Sequence, residues 1–317
     1  MKYLTLETYS GSFPVSKIAF GTGSAMWRLS KEEYFRLFDL YVQAGGNCLD
    51  TAPGYNHGIS EAYIGEWMKA RRNRASILLS TKACHTSEGQ PSRLSRKDME
   101  DDIHQSLCAM QIDCVDMLWI HKDDPDWPVE DVIDNINAVV KAGKVRAVGC
   151  SNWAVERIEK ANRYAREHGL HGFVASQVQW SLGRVESEAY KKRYGVLVMD
   201  DPSFVWYQKN QMPIFAFSAL AQGFFARAAV GGVEALSAEK RAYFETPDNL
   251  KRLEKVKVYM KEHNVPSSVP VLGYLLNNKL PCVALISAST PAMLTEALAA
   301  ADTDLSISEV DALFACG

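Results

Sequence analysis

Residues 115–150 read VDMLWIHKDDPDWPVEDVIDNINAVVKAGKVRAVGC. Val115 to Ile120 is a short apolar run, and a polar loop follows it. Pro128 then opens an amphipathic stretch that stops near Gly143, and Val145 to Cys150 begins a second apolar run. A strand, a helix with one buried face and a second strand in so short a span make a βα unit running into its successor.

The same unit recurs outward in both directions. Upstream, strand candidates are Val15 to Phe20, Asn47 to Leu49 and Ser76 to Thr81. The helices between them are capped by Ser30 (running to Ala44, with Gly45-Gly46 as stop), Ser60 (to about Arg72) and Ser95 (to about Met110). Downstream, a helix runs to His168 with Gly169 as stop. Strands are expected at Phe173 to Val178, Pro213 to Ala216 and Cys282 to Ile286, and helices over Leu250 to His263, Ser268 to Asn277 and Pro291 to Ala300. Eight strand candidates alternating with helices predict an α/β fold, a parallel (β/α)8 TIM barrel with its active-site loops at the C-terminal rim. No linker divides the chain, so 1–317 reads as a single domain. The sixth unit is irregular, and the stretch from Trp180 to Gln211 is expected to form a long loop over the barrel mouth.

Composition narrows the function classes. The chain carries 35 basic and 38 acidic residues, so it lacks the excess of cations that nucleic-acid binding requires. The densest basic cluster, Lys69, Arg71, Arg72 and Arg74, reads as a solvated helix end. The N-terminal stretch has no apolar core of signal length, and no apolar run is long enough to span a membrane. The 7 cysteines are scattered without a C-x-x-C pair, which points to free thiols in a reducing compartment and to no metal site. A cytoplasmic protein acting on a small molecule is the expectation; the oligomeric state is open.

Polar groups stand just after the apolar runs: Asp50 after N-C-L, Lys82 after I-L-L-S-T and His121 after M-L-W-I. In a barrel these positions converge on one rim. Tyr55 follows Asp50 across the turn T-A-P-G, whose Pro53 and Gly54 would fold it back over that rim. A buried ammonium beside a phenol favours the phenolate. With Asp50 orienting Lys82 and His121 facing a substrate carbonyl, Tyr55 would be a proton donor tuned toward neutral pH. No serine elbow or zinc motif accompanies these groups, so a reduction here would draw its hydride from a cofactor. Trp27 and Trp153, at strand-end loops, read as pocket walls. Trp119 reads equally as pocket lining or core, Trp67 as helix packing and His57 as a loop residue.

These stretches resemble the aldo-keto reductase superfamily. G-G-N-C-L-D-T-A-P-G-Y (45–55), G-I-S-E-A-Y-I-G (58–65) and V-K-A-G-K-V-R-A-V-G-C-S-N-W (140–153) match three of its sequence blocks, and the likeness runs from Ile18 to about Leu298. It implies a tetrad of Asp50, Tyr55, Lys82 and His121, with Tyr55 as general acid/base and Tyr55 and His121 touching substrate. It implies cofactor contacts from Gly21, Thr22 and Asp50; from Ser151, Asn152 and Gln177 to a nicotinamide carboxamide; from Phe217 as the stacking aromatic; and from Ser218, Leu220 and Gln222 around a pyrophosphate. The implied cofactor is NADP(H).

One segment departs from that pattern. Relatives that grip an adenosine 2′-phosphate carry Lys or Arg past the last strand and Arg in the next helix, whereas this chain reads I-S-A-S-T-P-A-M-L-T-E-A-L over 286–298. Ser287 and Ser289 stand near the first cation and Met293 at the second; Glu296 keeps an adenine contact. NAD(H) therefore becomes plausible beside NADP(H). Two other readings stay open: a regulatory barrel that holds nicotinamide cofactor with little turnover, and a cofactor-independent lyase or isomerase.

Overall fold

The computed structural model describes residues 1–86, 90–185 and 187–316. The barrel strands are β3 (Ile18–Gly21), β4 (Cys48–Asp50), β5 (Leu78–Ala83), β6 (Met117–Ile120), β7 (Val148–Ser151), β8 (Ser176–Gln179), β9 (Ile214–Phe217) and β10 (Cys282–Ile286), with a hairpin of β1 (Tyr3–Thr8) and β2 (Gly11–Ser16) before them. The eight close in sequence order, every neighbouring pair is parallel, and β10 returns to β3. The helices are α1 (Lys31–Gln43), α2 (Ile59–Arg71), α3 (Arg96–Met110), α4 (Val129–Lys141), α5 (Val155–Glu167), α6 (Ser187–Tyr194), α7 (Asp201–Asn210), α8 (Phe224–Gly231), α9 (Ala238–Phe244), α10 (Pro247–His263), α11 (Ser268–Leu276), α12 (Pro291–Leu298) and α13 (Ile307–Phe314). None among the described residues is long and apolar enough to cross a membrane.

The barrel interior is filled rather than hollow. Ala19, Cys48, Leu78, Met117, Trp119, Ala147, Ala175, Phe215 and Val283 form one buried cluster in which small and large side chains interdigitate. Trp119 is fully buried there, edge-on to Phe215, which settles it as core. Gly149 is required beside it, because a Cβ would meet the Trp119 ring at 2.4 Å. Leu6 and Val15 join this cluster from the hairpin, which plugs the N-terminal end of the barrel.

That hairpin corrects the first expected strand. Val15 and Ser16 end β2, and the chain turns at Lys17, whose N–H donates to Lys2 O, before β3 begins. Ser60 also does not cap α2. Gly58, at φ 88°, occupies the cap, while Ser60 is buried and its hydroxyl meets that of Tyr34 at 3.1 Å. The Trp180–Gln211 stretch is more ordered than expected: it contains α6 and α7. The expected basic cluster is partly neutralised, since Arg71 grips Asp39 through two hydrogen bonds and Arg74 pairs with Asp116. All seven cysteines are free, four of them buried.

Candidate active site

Strand pairing aligns Asp50 with Ser80, and Lys82 lies two residues further along β5, on the same face. The Lys82 Nζ donates to Asp50 Oδ2 at 2.5 Å and to Thr51 O at 2.8 Å. Asp50 Oδ1 accepts from Ser80 Oγ at 2.7 Å and Gln177 Nε2 at 3.1 Å. Both charged residues are 2% exposed, so their charges meet with little water between them. Burial is the largest single influence on the Lys82 ammonium and works against it, but the charges of Asp50 and Tyr55 and the hydrogen bonds to both together outweigh it, and the group is held above the usual lysine range.

The turn after β4 carries Tyr55 back over this pair. Its N–H donates to Ala52 O, and Asn56, His57 and Gly58 all adopt positive φ before α2 begins. Lys82 Nζ lies 4.8 Å from the centre of the Tyr55 ring. Trp27, 41% exposed, stands 6.2 Å from the same ring and forms a wall of the mouth. His57 is an exposed loop residue.

His121 follows β6. Its backbone N–H donates to Ala83 O, its carbonyl accepts from Asn152 Nδ2 at 3.2 Å, and its ring lies 4.7 Å from that of His85. Its Nδ1 is buried without a partner. Burial, then the charges of Lys82, His85 and Lys122, hold its pKa well below the usual histidine value, so the ring is neutral at pH 7. A depressed histidine leaves the unfolded chain binding the extra proton first. Stability should therefore fall as pH drops below about 6.5, by up to about 1.4 kcal/mol per pH unit from this one group. Urea unfolding at pH 7.5 and 5.5 checks this; His121→Asn should flatten the dependence relative to wild type.

The residues expected to hold a cofactor fall into three groups around the rim. Gly21 is paired with Asp50 across the strands, and Thr22 donates through its N–H to Asp50 O and through its hydroxyl to Thr51. Ser151 and Gln177 are directly opposed in the β7–β8 ladder, with Asn152 next to them at φ 59°. The Asn152 amide is already engaged, donating to Ser151 Oγ and His121 O and accepting from Leu197 N. After half-buried Phe217, at the end of β9, the chain enters the left-handed region at Ser218, Ala221, Gln222 and Gly223, a strained run for non-glycine residues. Leu220 anchors this loop on the core, and Tyr190 of α6 accepts from Gln222 Nε2 at 3.0 Å. Past β10, Ser287 Oγ is buried and unpartnered, while Ser289 Oγ lies 3.4 Å from Met293 Sδ at the start of α12. Glu296 is exposed on the same helix.

The family model for the aldo/keto reductase family matches residues 17–317. The chain belongs to the aldo/keto reductase family. It is similar to norsolorinic acid reductase B of Aspergillus parasiticus, 35% identical over 52% of this chain and 46% of that protein. It is similar to an aryl-alcohol dehydrogenase of Pestalotiopsis microspora, 28% identical over 90% of this chain and 72% of that one. The chain thus spans about half the length of several curated relatives it matches. In fold it resembles the thermostable aldo-keto reductase Tm1743 in complex with epalrestat (TM-score 0.76, 24% identity, full coverage of both chains). It also resembles an aldo-keto reductase from Klebsiella pneumoniae in complex with NADPH (TM-score 0.72, 20% identity, 99% of this chain and 96% of that one).

One expected wall of this aldo/keto reductase site is absent. Trp153 does not face the mouth: it is 3% exposed, packed edge-on against Phe173 with the Arg157 guanidinium over its ring. The turn at Asn152 directs the next side chain into the helical layer. Two groups near the site escaped the sequence reading. Lys240 Nζ donates to Gln222 O at 2.8 Å, and burial and the neighbouring Arg227 charge depress its pKa, so two cations flank the 218–223 loop. His85 lies beside His121 with the two rings tilted at 41°. Neither had a local signal, because α9 and the loop after β5 reach the rim only through tertiary folding. A cavity of about 290 Å³ lies among Trp180, Phe204, Tyr274 and Phe314, and none of the tetrad lines it.

Proposed function

We propose that this aldo/keto reductase interconverts an aldehyde or ketone and its alcohol, using NADP(H) or NAD(H). The observation that carries the reading is the Tyr55 phenol lying over the buried Lys82–Asp50 pair, with neutral His121 on the same rim. A bound nicotinamide dinucleotide would supply the hydride. Tyr55 would pass its hydroxyl proton to the carbonyl oxygen and take it back on oxidation. Lys82 stays charged beneath the ring and Asp50 fixes its position. A neutral His121 can donate one hydrogen bond to orient the carbonyl without carrying charge into the site.

The residues present fit such a cofactor. Ser287 Oγ is an orphaned buried hydroxyl at one end of its expected path. The strained loop from Ser218 to Gly223, flanked by Arg227 and Lys240, suits a pyrophosphate. Ser151 and Gln177 offer remaining polar atoms for a carboxamide, with Asn152 acting mainly to hold them, and Phe217 offers a stacking face. A screen of aldehydes, ketones and sugars with NADH and NADPH in parallel tests the activity; turnover of none would overturn it.

Selectivity between the two dinucleotides follows from Met293. It is 48% exposed, and among the described residues it makes no charged hydrogen bond; its sulfur accepts from Ser289 Oγ. Two missing charged hydrogen bonds at about 1.5–3 kcal/mol each amount to about 3–6 kcal/mol, or about 10²- to 10⁴-fold in affinity. Arg227 and Lys240 would grip the pyrophosphate common to both cofactors and so would not discriminate. The Kd values for NADPH and NADH should then lie within about tenfold of each other, as measured by fluorescence titration. Met293→Arg should shift the balance toward NADPH; a thousandfold NADPH preference in the wild type would contradict the account.

A further inference from the structure

Around the barrel from β10, on the far side where β5 and β6 end, a cavity of about 690 Å³ lies one ring away from His121, which does not itself line it. Its volume is that of a small-molecule pocket. His85 lines it and lies 4.7 Å from the His121 ring. Lys122 and Lys192 also line it, the first from the residue after His121 and the second from α6. The Lys122 side chain crosses toward the end of α6: a Cβ on Gly195 would stand 3.2 Å from its Nζ.

Among the described residues, the charges around this cavity do not cancel. Asp123 is taken by Arg157, through hydrogen bonds of 2.9 and 2.8 Å, and Arg193 is taken by Glu239 at 3.2 Å. Asp124, whose Oδ1 accepts from the backbone N–H of Asp126, keeps its negative charge on the wall. Neither Lys122 nor Lys192 has an ion pair among the described residues. The surplus is felt at the rim, where burial and the Lys122 charge both hold His85 below its usual pKa. Two unpaired lysines against the single carboxylate of Asp124 leave a positive surplus among the described lining residues, and such a surplus concentrates anions and draws charged ligands in.

We infer that this cavity receives an acidic group of the substrate, a carboxylate or phosphate held by Lys122 and Lys192 while the carbonyl end lies at Tyr55 and His121. This rests on the oxidoreductase reading above and names its substrate class. The plainer role for Lys122, capping the C-terminal end of α6, would leave substrate choice untouched.

The test is steady-state kinetics on two matched pairs, 4-carboxybenzaldehyde with 4-methylbenzaldehyde and glyceraldehyde 3-phosphate with glyceraldehyde. Wild type is compared with Lys122→Met and Lys122→Met/Lys192→Met. The expected result is a kcat/KM at least about tenfold higher for the anionic member of one pair, carried by KM. That advantage should shrink in about 0.5 M salt and disappear in the double variant. Which pair shows it separates carboxylate from phosphate. Equal kcat/KM within both pairs, or variants that change Tm but leave the ratios alone, would overturn the inference. If no aldehyde is turned over, the oxidoreductase reading fails instead. Calorimetric titration of 4-carboxybenzyl alcohol against 4-methylbenzyl alcohol then decides the cavity, and equal affinities would overturn it.

Discussion

Tyr55→Phe should lower kcat by at least about 10²-fold, the lower range for removing a positioned general acid, while the Kd of the nicotinamide cofactor changes less than about twofold. The substitution deletes one oxygen and keeps the ring. The contacts of that ring with Trp27 and with the Lys82 ammonium therefore survive, and the loss isolates the hydroxyl. Stopped-flow and steady-state rates on any carbonyl compound the wild type reduces will measure it. A variant that keeps more than about half the wild-type turnover would remove Tyr55 from the chemistry, since no general-acid role is compatible with so small a loss.

Lys82→Met should be still more severe. It removes the cation facing Tyr55 and leaves the Asp50 carboxylate 2% exposed with only neutral donors, Ser80 and Gln177. Breaking a buried pair by deleting one partner costs about 3–5 kcal/mol, so turnover should vanish near neutral pH and Tm should fall by several degrees. Folding and chemistry can be separated with Lys82→Met/Asp50→Asn, in which no charge is orphaned. The double variant should regain much of the lost stability in urea unfolding and none of the activity. A stable, active Lys82→Met protein would place the pair outside the mechanism.

The barrel was legible because its strands are short buried runs, most of them with a polar residue at the end or just beyond it. Asp50, Lys82, Ser151 and Gln177 all lie at or near strand ends in the closed ladder. The expected strands begin two or three residues early at Val115, Val145 and Phe173, since these apolar residues are already buried below the ladder; Val115 and Val145 form only an isolated bridge. The hairpin was hidden because Val15 to Phe20 is one apolar stretch broken only by Ser16 and Lys17, and a turn at a single lysine leaves little mark in the pattern. Trp153 was misplaced for a related reason. The positive φ of Asn152 reverses the alternation that would otherwise aim the next side chain at the mouth. Lys240 and His85 reach the rim through contacts between distant segments, and no spacing in the chain encodes those.

The most direct test of the central claim is the fate of the hydride. Wild-type protein is incubated with NADPH carrying deuterium at both C4 positions and with an aldehyde that it reduces, and the alcohol is examined by NMR. The account predicts one deuterium on the carbinol carbon of the product, formed at least about 10²-fold more slowly by Tyr55→Phe. Alcohol formed without deuterium, or deuterated alcohol formed equally fast by both proteins, would contradict it.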